Sequence, residues 1–278
     1  MNGNVLKGGD LLVDLSLPKV MGIINLTEDS FYKESRFTDE ILVLKKVEEM
    51  VNAGADMIDI GAMSSRPGAK LSNPDQESKT IAGYMKTIRR NFPSLFVSID
   101  TVYGVVANSA LYEGANMIND ISAGNIDGSI WDIVSSFQAP YVPMHMRGLP
   151  ENMQNNTLYD DIMSEMLVFF KDKIRKLKER GIYQIVIDPG IGFSKDIDSN
   201  FLLLRNLESF SVFEYPILLG MSRKGFIYKT LHTSPENSLN GTSVLHAVAL
   251  LNGTKILRVH DVKEAKEAVT LIEMLKKG

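Results

Sequence analysis

Short apolar runs and amphipathic stretches alternate along this chain with a regular beat. Residues 20–27 (VMGIINLT), 57–61, 95–100, 117–120, 141–146, 185–188, 216–221 and 255–259 are apolar runs of strand length, bounded by turn residues, and read as buried strands. Helical patterns separate most of them. Residues 39–51 place Ile41, Leu44, Val47 and Val51 on one face, with Gly54 just past the end. Residues 75–90 follow Asn73 as cap and Pro74 in the first turn. Further helices are expected at 103–113, at 159–180 with an inner stripe of Ile162, Met166, Phe169, the Lys173 stem and Leu177, at 197–207, and at 237–252 before Gly253. A last helix carries Ala265, Val269, Ile272 and Leu275 at helical spacing. The first dozen residues, Gly/Asn-rich and then leucine-rich, predict a short hairpin or plug.

Alternating βα units imply parallel strands, and two closures are open to them. A doubly wound sheet calls for a glycine-rich phosphate turn after the first strand, where Asn25, Leu26, Thr27 and Glu28 supply no glycine. Eight strands in 278 residues, with polar residues gathered at their C-terminal ends, fit a (β/α)8 TIM barrel instead, as a single domain over residues 1–278.

Composition narrows the function. A net charge of -4 without a Lys/Arg block leaves no electrostatic footprint for nucleic acid or an acidic membrane surface, so small molecules are the expected partners. The absence of cysteine excludes disulfides, thiolate nucleophiles and Cys-based metal sites, and no His pair has ligand spacing with an acid. The N-terminal stretch lacks a basic segment followed by an apolar one, and no apolar run approaches the roughly 18 residues that span a bilayer. A cytoplasmic location is expected.

The strand ends carry the candidate chemistry. The run IVIDPGIGFSK delivers Asp188, breaks at Pro189 and Gly190, and lays Phe193 beside the acid. In a closed barrel the ends of strands eight, one and two form one arc: Arg258 and His260, Asn25, then Ser65 and Arg66. That arc is cationic and suits a phosphate or diphosphate, which arginine grips through paired charge-assisted bonds. The alternative is that Arg66 and Arg258 pair with Asp29, Asp261 or Glu264 at the rim. The opposite arc holds Asp100, Asn119, Asp188 and Lys224. Carboxylates at an apolar mouth rise in pKa unless donors satisfy them, and a heterocycle with a ring N–H beside an exocyclic amine would do so. Lys224, flanked by Arg223 and near acids, reads as a charged donor rather than a desolvated Schiff-base nucleophile. His145 either lines the pocket or packs behind it.

The segments MGIINLTEDSF, DIGAMSSRPGA, SIDT, INDISAG, MHMRG, IDPGIGFSK, GMSRKGFI and RVHDV, in this order over about residues 20–262, resemble the successive signatures of the dihydropteroate synthase family. The resemblance implies a barrel enzyme, a homodimer, that joins dihydropterin pyrophosphate to p-aminobenzoate with loss of pyrophosphate. By position it implies that Asp100, Asn119, Asp188 and Lys224 hold the pterin. Ser65, Arg66, Arg258 and His260 would hold the pyrophosphate, and Asn25 would meet Mg²⁺. Phe31, Pro67, Phe193, Lys224 and the Gly225 backbone would frame p-aminobenzoate, and Asp29 and Asp100 would stabilise the developing cation. A pterin-dependent methyltransferase, or a non-catalytic pterin-binding barrel, would share only the heterocycle arc. The chain departs from the family pattern at Glu28, Met63, Ser65, Ser194 and Gly225, where proline, glutamate, threonine, glycine and serine are usual.

Overall fold

The computed structural model describes residues 4–26, 36–62, 68–69 and 71–277. An antiparallel hairpin, β1 (Val5–Gly8) and β2 (Leu11–Asp14), precedes the alternation. Then follow β3 (Lys19–Asn25), α1 (Arg36–Asn52), β4 (Met57–Gly61), α2 (Pro74–Asn91), β5 (Phe96–Asp100), α3 (Gly104–Tyr112), β6 (Met117–Asp120) and α4 (Ser129–Phe137). The second half adds β7 (Tyr141–Pro143), α5 (Ile162–Glu179), α6 (Ile197–Arg205), β8 (Leu218–Leu219), α7 (Gly225–Thr230), α8 (Leu239–Leu251), β9 (Ile256–Val259) and α9 (Val262–Lys276).

The main sheet is parallel, in the order β7-β6-β5-β4-β3-β9-β8. Its edges meet through residues 185–188, which bridge Tyr141 of β7 and Met144 just beyond it, through Ile185 and Asp188, and Ile217 just before β8, through Ile187. The eighth strand expected from the apolar run is thus present as isolated bridges, and the sheet curls into the expected barrel.

Side-chain parity explains where the cores lie. Met21, Met57, Phe96, Met117, Val142, Val186, Leu218 and Ile256 face inward and pack with Leu6, Val13 and Leu15, so the hairpin plugs the N-terminal end. Asn116 donates to the Gly8 carbonyl (2.9 Å), and Gln184 exchanges two bonds with the Lys7 backbone, which tie the plug down. The opposite parity, including Ile58, Val97, Ile118 and Leu257, packs under helix residues such as Val47, Met85, Phe170 and Ala265.

Helix signals were mostly legible. Asn73 caps α2, its side chain accepting from the N–H groups of Asp75 and Gln76. Four details differ from expectation. The buried face of α1 is Val43, Val47 and Met50, while Ile41 is half exposed, because a period of 3.6 sets the stripe one position over. In α5, Phe170 and Ile174 replace Phe169 as core, and Leu275 of α9 is exposed. Helices α4 and α7 have no clear signal in the sequence: α4 buries only Ile130 and Val134 and α7 is six residues long with Phe226 and Ile227 buried, so neither presents a long stripe.

Candidate active site

Two residues beyond the apolar floor, each inward position is the next candidate for a ligand, since strand side chains alternate with a period of two. On β4, β5, β6, the 185–188 segment and β9 those positions are Asp59, Ser98, Asn119, Asp188 and Arg258, and Asp100 lies one step higher on β5. A polar layer therefore replaces the apolar one toward the C-terminal mouth.

Arg258 organises it. Its Nε donates to Asp59 Oδ2 (2.5 Å) and its Nη2 to Asp100 Oδ2 (2.6 Å). The same Asp59 oxygen accepts from Asn119 Nδ2 (3.0 Å). The two arcs separated by strand order are thus joined at Arg258, whose carboxylate partners are Asp59 and Asp100. Asp261 pairs instead with Arg223, at 2.8 and 2.9 Å, which turns that arginine away from the mouth. Asp59 was not recognised in the sequence. The available signal was an acid at the inward parity of an otherwise apolar strand, two residues before Gly61.

Four polar atoms of this layer have no partner among the described residues: the acceptors Asp59 Oδ1, Asp100 Oδ1 and Asn119 Oδ1, and the hydroxyl Ser98 Oγ. Unsatisfied buried acceptors cost about 1–3 kcal/mol each, so they mark where a donor-bearing ligand binds with gain. Burial pushes the Asp100 carboxyl up to about 7 against the pull of Arg258, with Asp59, Glu77 and Asp120 adding repulsion. Asp188 is also raised by burial, opposed by the Gly190 N–H that its Oδ1 accepts at 2.8 Å and by Lys224 and Arg258.

The turn after Asp188 depends on glycine. Gly190 has φ +69°, and a Cβ there would lie 2.1 Å from the His145 carbonyl oxygen. That close approach draws the 188–195 turn onto the end of β7. Lys195 locks it from inside: its buried ammonium meets the carbonyls of Gly190 (3.0 Å), Phe193 (2.9 Å) and His145 (3.2 Å), and His145 Nδ1 (3.1 Å). Burial draws Lys195 down to about 7 and, with the nearby Lys195 and Arg147 charges, His145 down to about 2. His145 packs edge-on against Phe169 at 4.8 Å and serves behind the pocket. Ser194, where the family usually has glycine, adopts φ +46°; its Oγ accepts from the Arg147 N–H at 2.9 Å, offsetting some of the conformational cost.

Lys224 caps the wall opposite. Its Nζ lies 4.2 Å over the Phe193 ring and donates to the Ile191 carbonyl. Burial draws this amine down to about 7, against the opposing pull of Asp188. Arg223 and nearby acids in the sequence predict an ordinary charged lysine; in the structure Arg223 is turned to Asp261, and burial governs the Lys224 amine. Asn25 and His260 are exposed at the mouth, the His260 N–H facing Ser222 Oγ at 3.4 Å. Asp29, Phe31, Ser65, Arg66 and Pro67, with the departures Glu28 and Met63, lie outside the described residues. Among the described residues no group of three or more His, Asp or Glu could hold a metal ion, and no helix is long and apolar enough to cross a membrane.

Known proteins share the sequence pattern and the fold. The pterin binding enzyme family model matches residues 21–260. Dihydropteroate synthase of Escherichia coli (strain K12) is 36% identical over 94% of this chain and 93% of its own length. That of Synechocystis sp. is 37% identical over 92% and 89%. The Yersinia pestis dihydropteroate synthase structure with a sulfonamide drug complex superposes with a TM-score of 0.92 at 34% identity, covering 99% of this chain and all of that one. The Xanthomonas albilineans enzyme with 4-aminobenzoic acid gives 0.91 at 32% identity, covering 99% of each. Likeness in sequence and in fold over almost the whole length leaves a single assignment: the chain belongs to the dihydropteroate synthase family of pterin-binding enzymes.

Proposed function

We propose that the barrel joins a dihydropterin carrying a methylene diphosphate to p-aminobenzoate, releasing diphosphate and forming dihydropteroate. The observation that carries this reading is the layer of unpartnered buried acceptors at Asp59, Asp100 and Asn119, beside the buried carboxylate of Asp188. A pterin edge offers adjacent N–H donors, and a carboxylate accepts two in parallel. Asp188 and Asn119 take that edge, Asp100 lies beside the ring, and Lys224 donates to a ring carbonyl or nitrogen. Phe193, Lys224 and Pro67 frame the aminobenzoate.

Diphosphate falls to Arg258 and His260, with Ser65 and Arg66 assigned by the resemblance alone. Asn25 fits a magnesium ion only as one neutral oxygen ligand, and the described residues provide no all-protein cage. That suits an ion arriving on the diphosphate, since magnesium keeps several waters and is often held by few protein groups plus phosphates. Bound there, it would neutralise charge on the leaving oxygens.

The reaction follows from charge placement. The carbon–oxygen bond breaks with its electrons passing to diphosphate, and positive charge spreads over the dihydropterin. Asp100, and Asp29 from the first loop, stabilise that charge in a site of low dielectric. The weakly basic aniline nitrogen then forms the carbon–nitrogen bond through its lone pair and sheds a proton, so no general base is needed before attack. We also place the protein in the cytoplasm and assign it a homodimer, supported by exposed Val244, Val248 and Leu251 on α8 and Leu271 and Leu275 on α9. Light scattering at micromolar concentration checks the dimer.

The test of function is direct. Dihydropterin diphosphate, p-aminobenzoate and Mg²⁺ are incubated with the protein, and both diphosphate and dihydropteroate are quantified. Equimolar formation is expected. Diphosphate release without aminobenzoate consumption, or no release, refutes the proposal.

A further inference from the structure

We infer that Asp59 is a positioning residue that fixes which end of the Asn119 amide faces the ligand; this rests on the proposed pterin site. Asp59 is fully buried near the barrel axis, and its Oδ2 binds groups from β6 and β9, two strands away on either side. A carboxylate only accepts hydrogen bonds, so Asn119 must turn its Nδ2 toward Asp59. The amide oxygen is thereby left on the other side, buried and without a partner among the described residues. An amide free to flip would present nitrogen or oxygen with little preference. Held by Asp59, Asn119 presents an acceptor, and the site selects a ligand N–H at that point.

The same oxygen also orients Arg258. With Nε on Asp59 and Nη2 on Asp100, the guanidinium plane is held at two corners. Asp59 therefore sets the polarity of one neighbour and the direction of the other, and selects the heterocycle without being required for the aminobenzoate.

The experiment removes the acceptor and then restores one at residue 119. In Asp59→Leu no acceptor holds Asn119 Nδ2, so the amide is free to turn nitrogen or oxygen toward the ligand, and Arg258 keeps only Asp100. Affinity for 6-hydroxymethylpterin, followed by fluorescence, is expected to weaken roughly 10- to 100-fold, the loss typical of a mispaired buried group. KM for dihydropterin diphosphate should rise while KM for p-aminobenzoate stays within a fewfold range. In Asp59→Leu with Asn119→Asp, the residue 119 carboxylate has an acceptor at both ends, so one faces the ligand whichever way it turns. Net charge is unchanged, and affinity should recover most of the loss. Wild-type affinity in the single variant overturns the inference. So does a double variant that fails to fold, or that folds and binds no better than the single one. A wild-type protein that does not bind the pterin refutes instead the site reading beneath it.

Discussion

Replacing Arg258 by methionine removes the cation shared by two buried carboxylates while keeping most of the side chain's volume. In the native protein Arg258 is largely buried and donates to Asp59 at 2.5 Å and Asp100 at 2.6 Å. Breaking a buried ion pair by removing one partner costs about 3–5 kcal/mol, because the remaining charge has lost its compensation. Here the cost is relieved by protonation. Asp100 already stands at about 7 with Arg258 pulling it down, so the variant raises it further. A carboxyl whose folded pKa exceeds its unfolded value of 3.8 contributes stability that is full below 3.8 and lost as pH rises through the folded pKa. The loss in Arg258→Met should therefore be near the upper figure at pH 8.5 and smaller by about 1 kcal/mol or more at pH 5.5, where Asp100 is neutral in both proteins. Urea unfolding of both proteins at the two pH values measures it, and adding Asp100→Asn should remove most of the pH dependence. A loss below about 1 kcal/mol, or one equal at both pH values, would show that the Arg258 cluster is solvated and that its charges are not coupled.

Asp188→Asn replaces an acceptor by a donor opposite the pterin edge, and pterin affinity should fall by about 2–5 kcal/mol with the melting temperature preserved; normal binding, or an unfolded variant, makes Asp188 a structural acid. Lys195 and Lys224, both drawn to about 7 chiefly by burial, should give two lysine side-chain NMR titrations near neutrality, one absent in each Lys→Met variant. Because the folded state holds fewer protons than the unfolded one between 7 and 10.5, stability should rise through that window by up to about 1.4 kcal/mol per pH unit for each lysine; titration of both above 10 would refute the desolvated pocket. Gly190→Ala should destabilise well beyond Gly253→Ala. Both positions have positive φ, but nothing lies within 4 Å of a Cβ at 253, whereas the His145 carbonyl lies 2.1 Å from one at 190. Equal losses by denaturant titration would remove the close approach as the reason for glycine.

The barrel was legible in the sequence because a parallel strand buried on both faces must be an apolar run, and its helix must show a stripe; neither depends on distant residues. The cap at Asn73 and the break at Pro189 and Gly190 are local for the same reason. Asp188, Asn119, Asp100 and Lys224 could be picked out because they end apolar runs, where a barrel builds its sites. What such a reading leaves open is how side chains meet across the barrel. Strand order put Arg258 and Asp100 on opposite arcs, yet a guanidinium is long enough to cross the interior and meet both Asp100 and Asp59. Asp59 sits inside its strand rather than at its end, so its importance emerges only when β4, β6 and β9 converge on it. The lowered pKa of Lys224 is likewise a tertiary property, set by burial and by the Arg258 charge from β9 against the pull of Asp188 and Asp100, rather than by the residues beside it in the chain. Period and turn chemistry are written locally, whereas pairing and desolvation depend on residues brought together from far apart, and those decide which charges a ligand meets.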